Sequence, residues 1–313
     1  MRTIIIFFIS LAAITVFITA CEKTSVEKTP TVDLGNKQDV IDFYISDYEG
    51  SHQYGVDWTG STSSCSPGTI SDEALANTLK RVNYFRISAG LPAVTHFDAE
   101  LNAKCQKGAL MMYANQELSH IPPATWSCYT QDGANAASHS NIATNTGSSS
   151  ITSYMSDHGQ YNYSVGHRRW ILYPPTKTMG HGSATSYSML WVAGGVELET
   201  PTELPEFISW PPKGYVPYNL IFDRWSFSIA KADFSNTSIT MTDKSGNKIQ
   251  INVESIKDGY GDNTIVWVPD LSYGYWGEDE TKVHVELKNV KMQSGDTKNF
   301  EYDVVSIRIP SRK

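Results

Sequence analysis

Hydrophobic positions recur along the chain with two periods, and the change from one to the other divides it. From Ser71 to Gly90, Leu75, Leu79, Val82 and Phe85 repeat at helical spacing behind an N-cap serine and two first-turn acids, Asp72 and Glu73. Pro92 keeps that helix from continuing, and Asp98 with Glu100 opens a second, whose Leu101, Cys105, Ala109 and Met112 form one apolar stripe. A loop bearing proline and glycine follows, then ANAASHSNIA predicts a third helix and ITSYM a short fourth. The apolar bursts from Trp170 to Tyr173 and from Ser188 to Ala193, bounded by glycine and proline, read as strands of a covered sheet. Helices on both sides of a few strands make a three-layer sandwich.

Residues 194–217 carry Pro201, Pro205, Pro211, Pro212 and Pro217, which predicts a stiff connection. After it the period becomes two. WSFSIAKA, SITMTD, KIQINVESI, NTIVWVP, TKVHVELKNV and FEYDVVSIRI alternate between turn clusters, so residues 201–313 are expected to form an all-β, immunoglobulin-like sandwich.

At the other end, MRTIIIFFISLAAITVFITA sets Arg2 ahead of an apolar stretch that closes on small residues, the pattern of an export signal over residues 1–20. Ile18-Thr19-Ala20-Cys21 resembles the bacterial lipobox, which implies diacylation of Cys21 and attachment to a membrane through that lipid anchor. Residues 21–50 then read as a lipidated tether, polar to about residue 36, with a short helix or strand from Asp39, and residues 51–200 as the main body. The expected place is a bacterial cell envelope, at the outer membrane or cell surface, and Glu22 is compatible with outer-membrane sorting.

Charge narrows the partners. The net charge is −8, removal of the signal takes away only Arg2 and leaves −9, and no lysine run appears. A phosphate backbone would want the opposite sign, so nucleic acid is excluded as a partner. With Cys21 acylated, Cys65, Cys105 and Cys128 remain. An exported compartment allows one disulfide among the three, and spacing does not choose it. Cys105, inside a helical stripe, reads as a small buried hydrophobe.

Six of the eight histidines lie between His96 and His181, but no H-E-x-x-H and no C-x-x-C accompanies them, so spacing alone defines no zinc site. There is no G-x-S-x-G, phosphate loop or dinucleotide fingerprint either. Order says more than spacing. NTLKRVNYFRISAGLPAV, LNAKCQKGALMMYANQELSH, SNIA, SYMSDHGQYNYSVGHRRWILYPP and MGHGSAT, spread over roughly residues 70 to 195, together resemble the CAP or SCP-like superfamily. That superfamily includes cysteine-rich secretory proteins, venom allergens and plant pathogenesis-related proteins. The resemblance implies an α+β fold with an α-β-α sandwich, and a cleft lined by two histidines and two acids.

Carried over position by position, the histidines fall on His120 and His167, and the acids on Ser140 and Asp157. One glutamate is thus replaced by serine and the other shortened. A serine hydroxyl is a poor ligand and no carboxylate base. Two imidazoles can still hold a divalent metal such as zinc, with Asp157 as third donor, or hydrogen-bond an anionic ligand. His139 competes with Ser140 for the cleft, while His96, His158 and His181 are expected in loops or at the surface. In a strand starting here, His167 and Arg169 share one face, Arg168 and Trp170 the other, and the two guanidinium groups satisfy backbone carbonyls or Asp157.

The leading expectation is a binding or envelope-interaction module that takes a lipid, glycan or protein ligand. The alternatives are a hydrolase with Ser140 as nucleophile, His120 or His167 as base and Asp157 as orienter, and a zinc-dependent site at His120 and His167.

Overall fold

The computed structural model describes residues 32–271, 274–276 and 280–310. The signal segment, Cys21 and the first part of the tether lie outside the described residues.

The helices start where side-chain caps place them. The segment from Asp39 is helical: α1 (Lys37–Phe43) is capped by Asn36 and runs on through a π turn and a 3-10 turn to Ser51. Ser71 caps α2 (Asp72–Ser88), Asp98 caps α3 (Ala99–Asn115) and Thr130 caps α4 (Gln131–His139), each side-chain oxygen accepting from the backbone N–H three residues on. α5 (Gly147–Ser156) and the short α6 (Gly166–Ile171) complete the set. The predicted third helix therefore stops at His139, and Ser140–Ala143 is strand β2.

The first sheet contains β1 (His96–Phe97), β2, β3 (Thr178–Ala184) and β4 (Tyr187–Trp191) in the order β1-β3-β4-β2, antiparallel except for the parallel β1–β3 pair. Side chains alternate across β4. Tyr187, Met189 and Trp191 join Leu101, Cys105 and Met112 beneath α3 and α4, whereas Leu190 and the following Val192 join Ile151, Tyr154 and Met155 of α5 and Val82 and Phe85 of α2. Helices thus cover both faces, as predicted. α3 lies almost against the β3 backbone, because a Cβ on Gly182 would meet the main chain of Gln106.

Cys65 pairs with Cys128, tying the segment before α2 to the loop before α4. Cys105 is free and buried, and burial pushes its thiol up to about 12.

The C-terminal region is β-rich, as its alternation predicts. One sheet has the order β10-β11-β7-β5, from β5 (Ile208–Trp210), β7 (Trp225–Ser228), β10 (Ile251–Val253) and β11 (Thr264–Pro269), all antiparallel. The other has the order β6-β13-β12-β8-β9, from β6 (Gly214–Pro217), β8 (Ser238–Asp243), β9 (Lys248–Ile249), β12 (Glu280–Lys291) and β13 (Thr297–Ile307), with only β6–β13 parallel. Their inner faces meet in one cluster, with Phe227 of the first sheet 5.3 Å from Phe300 of the second between ring centroids.

Two expectations change here. The proline-rich stretch is more than a connection, since it supplies β5 and β6. Both are edge strands, and Pro211 and Pro217 sit at their ends, where a missing N–H breaks no ladder. KIQINVESI is not one strand, because β9 and β10 belong to different sheets. Nor does the core stop between the regions: Phe85 of α2 packs edge-on against Trp210 of β5, with centroids 5.1 Å apart.

Candidate functional site

The segment GHRRWI, expected to begin a strand, is helix α6. A run of six residues cannot separate the two periods by itself. What decides for helix is Asp157, ten residues earlier. This residue ends α5 in the left-handed region at φ 50°, which turns its carboxylate toward the start of α6. There Oδ2 accepts the backbone N–H of His167 at 2.9 Å and of Arg168 at 3.4 Å. A carboxylate on the first-turn amides of a helix satisfies donors that have no partner within it and complements its dipole.

The other oxygen orients the imidazole. Asp157 Oδ1 lies 2.7 Å from His167 Nδ1, and its side chain is fully buried. The His167 ring also rests at a tilt on Tyr154, centroid to centroid 5.5 Å, and its carbonyl accepts from Asn141 Nδ2 at 3.0 Å. His120, in the loop after α3, is held by a different acceptor, with Nδ1 2.8 Å from the Ala137 carbonyl of α4.

Both imidazoles line one hollow of about 370 Å³, together with His139, Ser140, Trp170 and Tyr260. His139 stacks flat on Trp191, centroids 5.0 Å apart. His167 and Asn162 also border a wider groove of about 950 Å³, which Asp157 lines as well. The structure therefore brings His120, Ser140 and His167 to the hollow and Asp157 to the adjoining groove behind His167, in unequal roles. Ser140 is 5 % exposed, and its hydroxyl faces the Cys105 thiol at 3.8 Å. No imidazole among the described residues hydrogen-bonds to that hydroxyl, so the serine lacks the base that a nucleophile needs.

A protein-held zinc fits no better. No three His, Cys, Asp or Glu side chains converge among the described residues. Asp157, the expected third donor, already spends both oxygens on His167 and on the α6 amides. Two imidazoles fall short of the three or four protein ligands of zinc sites.

The arginines of α6 are buried and, as expected, bond to carbonyls, though from a helix. Arg168 donates to Met155 and Arg224 carbonyls at 2.7 and 2.8 Å and to Ser226 Oγ at 3.1 Å. Arg169 donates to the carbonyls of Lys257 at 2.6 Å and Asp262 at 2.9 Å. Burial lowers both guanidinium pKa values, that of Arg168 to about 10, which leaves Arg168 charged at neutral pH. Further back, Arg86 of α2 donates to Pro92, Ile171, Tyr173, Pro174 and Thr176 carbonyls and so fixes the chain leaving α6.

The Arg169 clamp draws the loop between β10 and β11 over the hollow, where the Tyr260 ring packs on Gly166. A Cβ there would lie 3.0 Å from the ring. Nothing in the sequence signals Tyr260, since the C-terminal region reads as a structural module. His181 is a second correction. Expected near the surface, it is 1 % exposed in β3, stacked on Phe97, with Nε2 3.0 Å from Ser183 Oγ. His158 is exposed, as expected, opposite Asp223 at 3.4 Å.

No curated protein and no solved structure gives a significant match to this chain. Residues 79–193 match the family model of the cysteine-rich secretory protein family, CAP, over a span that holds α3 to α6, the first sheet and both imidazoles of the hollow. Residues 79–193 are a CAP domain.

Proposed function

We propose that this chain is a ligand-binding CAP protein, exported and lipid-anchored through Cys21 at a bacterial envelope, that takes its ligand into the hollow between His120 and His167. One observation carries the reading: two imidazoles far apart in sequence line the same hollow, each with Nδ1 committed to an oxygen acceptor. Such a ring is oriented in advance, and its Nε2 is left for a ligand. A hollow of about 370 Å³ is within the ordinary range for small-molecule sites. The C-terminal sheets, in this reading an immunoglobulin-like spacer, also supply the wall that carries Tyr260.

Histidine-selective NMR during a screen of small polar compounds tests it. The ring signals of His120 and His167 should move together with one compound, and His167→Ala should abolish the response at His120. Ligands that shift neither ring would overturn the reading.

A further inference from the structure

We propose that the ligand is a neutral oligosaccharide lying across the hollow and the adjoining groove, with Tyr161 as the aromatic surface under one sugar ring. The proposal rests on the binding role given above and adds the chemical class of the ligand.

The imidazoles set the first condition. A carbonyl and a carboxylate oxygen only accept, so Nδ1 of His120 and of His167 each carries the hydrogen of that bond. In a neutral ring Nε2 is then an acceptor, and the ligand must bring donors. Hydroxyl groups do so and carboxylates do not.

Charge sets the second condition. Among the described residues, the lining of the hollow includes no Asp, Glu, Lys or Arg. In the groove, the Arg81 guanidinium is taken up by Ser51 Oγ, Thr152 Oγ1 and the Tyr48 carbonyl, and Asp157 by His167. The hydrogen-bonding groups of both are thus engaged within the protein.

Glu49 also lines the groove, beside apolar Leu118, Ile142 and Phe222, and Thr144, Asn145, Ser149 and Ser156, with Asn162 shared between the two cavities, supply short uncharged groups able both to donate and to accept. Sugar hydroxyls have the same dual character. Trp170, Tyr260 and Tyr161 stand on the hollow, and Tyr161 is 85 % exposed. An amphipathic ring that wet at the rim of a polar hollow offers a flat apolar face to the C–H side of a sugar.

Other ligands meet obstacles. An extended peptide would need an open strand edge, yet β2, the edge strand beside the site, is buried at Ser140, Asn141 and Ile142. An acyl chain would need an enclosed apolar tunnel, whereas this groove is open and its apolar Leu118, Ile142 and Phe222 are interspersed with hydroxyls and amides.

The test is an array of neutral glucan, mannan, xylan and chitin fragments, probed with the folded full-length chain, then calorimetry on the strongest binder. Tyr161→Ala, which removes no buried contact, and His167→Ala should each weaken binding about tenfold or more. Tyr54→Ala, which removes a still more exposed ring that lines neither cavity, should leave affinity unchanged. Failure of every fragment to bind, or binding indifferent to Tyr161 and His167, overturns the proposal. A parallel arm with a fatty acid, inorganic phosphate and a peptide mixture keeps the two readings apart. A ligand from that arm that depends on His167 would retain the histidine hollow and discard the sugar, whereas a sugar bound independently of His167 would discard both.

Discussion

Asp157 binds His167 twice, once through the ring Nδ1 at 2.7 Å and once through the backbone N–H at 2.9 Å. One buried carboxylate thus sets the direction of the imidazole and the start of the helix that carries it. Asp157→Asn keeps the left-handed turn, which asparagine tolerates, but replaces a charged acceptor by a neutral one. The expected loss is about 1–3 kcal/mol in urea unfolding, with a change in the His167 ring signals. Unaltered ring signals would show that the carboxylate does not orient it.

Acid should destabilise the protein through His181. Burial lowers its pKa from the ordinary 6.5 to about 4. The unfolded chain then binds the proton more readily between those values, so stability rises with pH through that window and is lost as pH falls from 6.5 toward 4. This one site accounts for about 3 kcal/mol of the loss. His181→Gln should flatten that part of the stability profile, measured by denaturant titration at a series of pH values.

The three cysteines should separate cleanly by chemistry. Reducing the Cys65–Cys128 bridge, which closes a sequence separation of 63 residues, is expected to cost about 4 kcal/mol by loop entropy and to lower the melting temperature. Cys105 should resist iodoacetamide in the folded protein, because a buried thiol held up to about 12 has almost no thiolate. Mass spectrometry before and after denaturation checks both statements.

How much of this was legible in the sequence depended on period and capping. Ser71, Asp98 and the long apolar stripes behind them marked α2 and α3, and the alternation after residue 217 marked the second region. The order of landmarks, and not spacing, points to His120 and His167, the two imidazoles that line the hollow. What stayed hidden was set by contacts distant in sequence. α6 is a helix because Asp157 caps it, β5 and β6 form because the sheets offer edges that tolerate proline, and His181 is buried because glycines let α3 close on β3. Tyr260 was invisible for the same reason, since its placement depends on Arg169.

Arg86→Met should be among the most damaging substitutions in the chain. It takes the donor from five carbonyls, of which, among the described residues, only that of Tyr173 keeps another, the Thr176 N–H, at an expected cost of about 3–5 kcal/mol. Arg86→Lys should recover only part of this, since an ammonium has three donors to a guanidinium's five. Chemical denaturation of the two variants side by side gives the comparison.

Gly166→Ala should displace Tyr260 while sparing the fold, because the added methyl reaches the ring and not the main chain. Faster nitration of Tyr260, read by peptide mapping, is the expected sign. A rate equal to wild type would mean that the ring does not rest on this helix.

Arg169 grips the loop over the hollow by the main-chain oxygens of Lys257 and Asp262, and its guanidinium also stands over the Tyr260 ring, 5.5 Å from the centroid. The identity of residue 260 is therefore coupled to the attachment, since the ring that walls the hollow faces the guanidinium that holds its loop. Panel and frame thus meet at one side chain: altering Tyr260 changes the lining of the hollow and removes one contact of the clamp, while the two carbonyl bonds of Arg169 still hold the loop.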